Sequence, residues 1–153
     1  MTNPAVTFTG MKEVLKYSHC FICGDQNHHG VQAKFFFDGQ KATTSIEASA
    51  AFEGYRGIYH GGVISSLLDE VMIKAILAQD IYAVTAELTI RFVAPVRIGD
   101  RVELTGWVTA SKGKLFFTEG KAEGADGRIY ATATAKYIRA GDDLRDELMN
   151  SIG

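Results

Sequence analysis

The sequence predicts an α+β fold in which an antiparallel β-sheet wraps around one long helix. Three observations predict it: one long segment with helical periodicity, segments of alternating polarity on both sides of it, and short turn sequences between the later segments. At 153 residues, the chain is most simply one domain spanning residues 1–153. Hydrophobic residues make up 46% and charged residues 22%, which argues against a disordered or fibrous chain.

The predicted helix extends from about Gly62 to Ala78. Its apolar side chains recur at intervals of three and four residues, at positions 63, 64, 67, 68, 71, 72, 75 and 76. Such spacing gives the broad buried face of a helix that packs against a sheet.

Two strands are predicted before this helix and four after it. Residues 31–37 and 41–48 flank Asp38-Gly39 and predict a hairpin, because this dipeptide tolerates positive φ angles. Residues 82–92 alternate strictly, which places Thr85 on a wet face opposite Val84 and Ala86. Residues 101–110, 115–123 and 128–140 are joined by short turns and predict an antiparallel meander.

The two ends of the chain are more polar. We predict an N-terminal helix and loop over residues 1–30, with the helix at 8–17, and a polar C-terminal tail over residues 141–153 that either forms a short helix or frays. In the last predicted strand, Ala131, Ala133 and Ala135 form a face of small side chains, where the long helix is expected to lie.

Composition excludes several classes of function. The net charge is −2 and no run of Lys or Arg occurs, so neither nucleic acid nor an anionic membrane is an expected partner. The N-terminus has no leader pattern and no apolar stretch is long enough to span a bilayer, which predicts a cytoplasmic location. Two cysteines are too few for a disulfide scaffold.

The segment GIYHGGVISSLLDE, residues 57–70, contains the candidate catalytic residues. Gly61 and Gly62 open the helix start, where free backbone N–H groups can polarise a carbonyl oxygen. At 100° per residue, Asp69 and Glu70 point to opposite margins of the apolar face. Glu70 is interpreted as a solvated i, i+4 partner of Lys74, whereas Asp69 has no basic partner and is the candidate acid.

His60 precedes the helix and is interpreted as a capping or substrate-positioning residue. Ser65 and Ser66 lack the surroundings of a catalytic serine and are interpreted as ordinary helix residues.

The segments H-G-G-V-I-S-S-L-L-D-E, A-V-T-A-E-L-T-I-R-F-V-A-P-V and R-I-G-D resemble the hotdog-fold acyl-CoA thioesterases of the phenylacetate-pathway and 4-hydroxybenzoyl-CoA type. The resemblance extends from about Cys20 to Tyr137. It implies a helix wrapped by a sheet, dimers or dimers of dimers whose sheets join edge to edge, and an active site between subunits.

By position, the resemblance makes Gly61 the N–H donor to the thioester carbonyl and Asp69 the nucleophile or the general base. Gly62 and Thr85 would contact the substrate, with Thr85 near the attacking water. The implied activity is hydrolysis of an acyl-CoA to free acid and CoA, with no cofactor beyond the CoA of the substrate. Gly54 occupies the position where relatives often carry an Asn.

CoA phosphates require positive charge at the rim of the site. The candidates are Arg56, Arg91, Lys112 and Lys114. Thiolates and imidazoles at short spacing also suggest Zn²⁺, but the pattern is incomplete, and the resemblance favours a structural loop instead. The side chains concerned are His19, Cys20, Cys23, His28 and His29.

Two other functions stay open from the sequence. A ligand-binding module that keeps the fold without efficient catalysis is consistent with the Gly54 departure. A hotdog dehydratase would need a paired acid and histidine on the helix, and no such pair follows residue 60.

Overall fold

One antiparallel sheet holds most of the chain around a central helix. The computed structural model describes residues 8–152. Within them the strands and helices are β1 (Lys12–Glu13), β2 (Phe36–Phe37), β3 (Lys41–Glu47), α1 (Gly61–Leu77), β4 (Ala83–Phe92), β5 (Arg101–Lys112), β6 (Leu115–Gly124), β7 (Ile129–Arg139) and α2 (Asp142–Asn150). The strand order is β1-β2-β3-β5-β6-β7-β4. The predicted α+β class, with a sheet around one long helix, is confirmed.

Helix α1 packs most tightly where two glycines face it. Gly106 of β5 lies opposite Gly120 of β6 in the register. A Cβ at Gly106 would lie 2.8 Å from the backbone of Val71 and Met72. The small face of β7 is also buried as predicted, since Ala131, Ala133 and Ala135 are at most 5% exposed. Small residues therefore set how closely the sheet and α1 approach.

The helix predicted at residues 8–17 is wrong. Gly10 has a φ of 83°, which interrupts a right-handed helix, and Met11 N–H donates to Phe8 O in a turn. The following residues form β1, which pairs with β2.

The hairpin around Asp38-Gly39 is confirmed, but its first strand is shorter than predicted. Gln32 has a φ of 57°, and Val31 and Ala33 donate their N–H groups to the Cys20–Cys23 loop rather than to a strand. Within the predicted segment 31–37, only Phe36 and Phe37 form a strand.

The polar C-terminal segment forms helix α2. No helix within residues 8–152 is long and apolar enough to cross a membrane.

Replacing Gly106 by Ala is expected to lower the free energy of unfolding by about 3 kcal/mol, because the added methyl group meets the backbone of α1. Urea unfolding at pH 7 measures the change. Gly141→Ala is the control, since its Cβ would enter open space, and it should cost less than about 1 kcal/mol. Equal losses in the two variants would show that the approach of α1 is not tight at Gly106.

Candidate functional site

The start of α1 is capped by His60. Its Nδ1 accepts the N–H of Gly62 at 2.8 Å, and its carbonyl oxygen accepts those of Val63 and Ile64. Among the described residues, no acceptor is recorded for the N–H of Gly61. The predicted capping role of His60 therefore fits the geometry, and the first helical N–H is left as the donor available to a ligand.

Glycines are required around this cap. A Cβ at Gly62 would lie 2.9 Å from the His60 ring, and a Cβ at Gly54 would lie 3.3 Å from His60 Cδ2. A side chain at position 54 would thus press on the capping ring. Gly61 itself borders a pocket of about 340 Å³ lined by apolar and aromatic side chains that include Phe92 and Tyr59.

Asp69 lies half-buried on α1 and is held by two hydroxyl groups. The Tyr137 hydroxyl donates to Asp69 Oδ1 at 2.8 Å and lies 2.9 Å from the Asp69 carbonyl oxygen. The Thr85 hydroxyl lies 3.0 Å from Oδ1 and 3.3 Å from Oδ2. Both donors favour Oδ1, so Oδ2 remains the oxygen with spare capacity to accept a proton or attack.

A β-bulge brings Thr85 to Asp69. Thr85 pairs directly with Tyr137, but the register shifts before Glu87, which leaves Ala86 as the extra residue. Direct partners in an antiparallel pair share a face. Thr85 therefore faces α1 with Tyr137, while Val84 faces outward with Ile138. The strict alternation predicted for residues 82–92 is wrong at this point, because the bulge exchanges the two faces.

Tyr137 is a site residue that the sequence reasoning missed. It continues the buried face of Ala131, Ala133 and Ala135 by one more period-two step, and it is fully buried. Burial and the neighbouring Asp69 carboxylate raise the pKa of its hydroxyl, so the group stays a hydrogen-bond donor. A polar-tipped aromatic at the end of a small-residue face was the available signal.

Glu70 is not the solvated partner predicted from helical spacing. It contacts Lys74 at 3.5 Å, but the Lys74 side chain is 1% exposed and the Glu70 side chain 15%. Burial raises the pKa of Glu70, while Lys74 lowers it. The pair exists but lies beneath the N-terminal loop, because residues 14–23 cover this side of α1.

The pocket beside Thr85 lies towards the other end of α1. Its volume is about 360 Å³, and Ile73, Leu77, Tyr82 and Val84 are among its mainly apolar walls. Gly61 and Asp69 are separated by about 12 Å along the axis, at a rise of about 1.5 Å per residue. Within one copy of the chain, Gly61 and Thr85 therefore line different pockets.

The predicted phosphate-binding side chains are all exposed but do not cluster. Arg56 lies in the loop before α1, whereas Lys112 and Lys114 lie at the β5–β6 turn, near the start of β4. Arg91 pairs with Thr132 on the outward face of the sheet. Ser65 and Ser66 donate to the carbonyls of Gly61 and Gly62, as ordinary helix residues do.

The residues considered for zinc separate into two groups. His19, His28 and His29 are exposed. Among residues 8–152, the one group of three potential ligands comprises Cys20, Cys23 and Glu70, whose ligand atoms lie within 4.8 Å of one another. The Lys74 ammonium lies 3.5 Å from both Cys23 Sγ and Glu70 Oε1, so a positive charge is already present at this cluster.

Comparisons with known proteins agree with this fold. The model of the thioesterase superfamily matches residues 56–131. No curated protein sequence matches the chain significantly. The crystal structure of a thioesterase superfamily protein is 22% identical with a TM-score of 0.75, covering 88% of this chain and 68% of that one. The PaaI protein of the E. coli phenylacetic acid degradation operon is 22% identical with a TM-score of 0.68, covering 72% and 81%.

A hypothetical thioesterase from Streptococcus pneumoniae TIGR4, solved with coenzyme A, is 17% identical with a TM-score of 0.64, covering 67% and 80%. That protein was also solved with an Asp replaced by Ala and with a Thr replaced by Ala.

Replacing Tyr137 by Phe is expected to lower the free energy of unfolding at pH 7 by about 2 kcal/mol, because a hydrogen bond to a carboxylate is lost. Urea unfolding at pH 7 measures this change in the free energy of unfolding. Tyr55→Phe is the control, since Tyr55 is 84% exposed, and it should change stability by less than about 0.5 kcal/mol.

The Tyr137→Phe variant should also differ from wild type in how its free energy of unfolding depends on pH. Because the pKa of Tyr137 is raised by folding, its contribution is complete at neutral pH and declines once the pH exceeds the unfolded value of about 10, where the unfolded chain releases the proton first. Wild type should therefore lose stability between pH 10 and 11 more steeply than Tyr137→Phe. Parallel pH profiles would contradict the assigned hydrogen bond.

Proposed function

We infer that this chain, a hotdog-fold member of the thioesterase superfamily, hydrolyses an acyl-CoA thioester to free acid and CoA. The observation that carries the proposal is the constraint on Asp69. Two hydroxyl groups hold one of its oxygens and leave the other available, on a helix whose start presents an uncommitted N–H.

Gly61 is proposed to polarise the thioester carbonyl. As water attacks, the carbonyl oxygen gains negative charge, and an N–H at the positive end of a helix stabilises it more than it stabilises the neutral substrate. His60 acts by occupying the N–H of Gly62 and fixing the turn. Gly62 is required because a side chain there would displace that ring.

Asp69 is proposed to drive the attack in one of two ways. As a general base, it takes a proton from water while the water oxygen bonds to the carbonyl carbon; as a nucleophile, it bonds to that carbon itself and is freed by water afterwards. In both, the C–S bond breaks and the CoA sulfur leaves; it takes the proton that Asp69 removed from water in the first case, and a proton from solvent in the second. Thr85 and Tyr137 orient the carboxylate for either course.

The proposed site requires two copies of the chain. One thioester cannot contact Gly61 N–H and Asp69 of the same copy, since they are about 12 Å apart along α1. Strand β4 is an edge strand that carries Thr85, and Val84 and Phe92 on it are exposed. Pairing of two β4 edges would bring Gly61 of one copy towards Asp69 of the other, in a dimer or dimer of dimers.

The rim charges fit this assembly. Arg56 lies near the helix start, and Lys112 and Lys114 lie near the Thr85 end, so two copies are needed to gather them around one CoA. We propose these three residues as contacts for its phosphates. The mechanism uses no cofactor besides the CoA of the substrate, and the cytoplasmic location stays a prediction.

Asp69→Asn should lower kcat by about 100- to 10,000-fold on the best acyl-CoA of a panel from short-chain to aromatic, because the amide neither accepts a proton nor attacks. Thiol release measures the rate. Asp80→Asn is the control: Asp80 is an exposed acid beyond α1 whose φ of 61° suits Asn, and its variant should keep wild-type activity.

Two outcomes would count against the proposal. Full activity in Asp69→Asn would refute the assignment of the acid. A wild-type protein that binds CoA but hydrolyses no member of the panel would favour the ligand-binding module instead.

Gly61→Pro should lower kcat by about 100- to 1,000-fold while leaving the helix intact. Proline removes the N–H but suits the first helical position, and His60 before it already has the extended conformation that proline favours (φ −63°, ψ 128°). Gly61→Ala is the matched control, since its N–H remains and its Cβ makes ordinary contact with Phe92.

Co-refolding inactive Gly61→Pro with inactive Asp69→Asn tests the shared site. Mixed dimers should regain activity, because one of their two sites then combines an intact Gly61 with an intact Asp69. No recovery in verified mixed dimers would place both groups within one copy.

A further inference from the structure

Cys20 and Cys23 lie at opposite ends of one helical turn. Gly24 N–H donates to Cys20 O at 2.9 Å, and this bond closes the turn. In such a turn, the Cα atoms of residues three apart are about 5 Å apart, within the range that disulfides span. The two sulfur atoms lie within 4.8 Å of each other. A disulfide therefore needs only side-chain rotation and a small adjustment of the turn.

The two thiols differ in access. Cys20 is partly exposed and lines the 360 Å³ pocket beside Tyr82 and Thr85, whereas Cys23 is 3% exposed. A small reagent in that pocket meets Cys20 first. Cys23 can then reach only Cys20, which is the arrangement of an attacking and a resolving thiol.

The surroundings favour a negative charge on Cys20. Its sulfur accepts the N–H of Ile22 at 3.3 Å, and Lys74 lies beneath the pair, in contact with Cys23 Sγ at 3.5 Å. The neighbouring Cys23 thiol, aided by Lys74, lowers the pKa of Cys20, and the neighbouring Cys20 sulfur together with burial raises the pKa of Cys23. Thiolates rather than thiols are the nucleophiles.

Glu70 completes the cluster. Its Oε1 lies 3.9 Å from Cys20 Sγ, and burial raises its pKa while Lys74 lowers it. A metal ion would have to share this space with the Lys74 ammonium, which contacts two of the three potential ligands. The chemistry of the group therefore favours thiol oxidation over metal binding.

We propose that Cys20 and Cys23 are a hydroperoxide-reactive dithiol, in which Cys20 is oxidised through the pocket and Cys23 closes a disulfide. The site uses neither Asp69 nor Gly61, so it stands or falls independently of thioester hydrolysis.

The reaction balances with the hydroperoxide as the oxidant. The Cys20 thiolate attacks the terminal oxygen, the O–O bond breaks, and the departing alkoxide or hydroxide takes a proton from solvent, leaving Cys20 as a sulfenic acid. The Cys23 sulfur then attacks Cys20 Sγ, the S–O bond breaks, and the hydroxyl leaves as water with the Cys23 proton. The dithiol loses two electrons and the hydroperoxide gains them.

To test the proposal, the reduced chain of residues 1–153 is treated with hydrogen peroxide. Because the chain has only two cysteines, a thiol titration reports on this pair alone. Both thiols should be lost together, and the peptide 17–34 should lose the mass of two hydrogen atoms and regain it on reduction. The folded chain should react at least about tenfold faster than the same chain in urea, since only folding places the Lys74 ammonium beside the two thiols.

Two variants show which cysteine is oxidised first and which one then closes the disulfide. Cys23→Ser should stop at a Cys20 sulfenic acid that dimedone traps, whereas Cys20→Ser should leave Cys23 reduced. Equal rates for the folded and unfolded chain, dimedone labelling of Cys23 in Cys20→Ser, or stoichiometric zinc in the purified wild type would each overturn the proposal. Since the wild-type measurements need no substitution, a variant that fails to fold leaves the test decisive.

Discussion

The close approach of α1 to β5 is the constraint on which the other features depend. With no side chain at Gly106, the backbone of Val71 and Met72 lies directly against the sheet. This approach brings Asp69, less than one turn earlier, within hydrogen-bond distance of the Tyr137 hydroxyl on β7. A larger residue at Gly106 would push α1 outward and lengthen the hydrogen bond from the Tyr137 hydroxyl to Asp69.

Features that depend on local periodicity were predictable from the sequence. The helix predicted from about Gly62 to Ala78 forms from Gly61 to Leu77, and the last three strands begin and end within two residues of their predicted bounds. The angle per residue also predicted that Asp69 and Glu70 point to different sides of α1, as their separate partners Tyr137 and Lys74 show. These features follow from the spacing of apolar and polar residues, which can be read directly from the sequence.

Features that depend on pairing across the chain were not predictable in this way. The bulge at Ala86 reverses the face of Thr85, yet residues 82–92 still alternate in sequence. Lys74 is charged and was assigned to solvent, but the N-terminal loop covers it and supplies Leu15 O and Cys23 Sγ as partners. For both Thr85 and Lys74, a contact with a distant segment of the chain determines which way the side chain faces or whether it is buried, and the local sequence pattern does not contain this information.

The neighbouring acids Asp69 and Glu70 illustrate how one helix can supply two chemistries. Glu70 faces the loop, where burial favours its neutral form and Lys74 opposes this. Asp69 faces the sheet, where hydroxyl donors satisfy one oxygen without supplying a positive charge. A counter-ion at Asp69 would stabilise the carboxylate but also weaken it as a base or nucleophile. Neutral donors fix the orientation of the carboxylate without adding a positive charge, and the rotation of 100° between adjacent residues separates the two environments on one element.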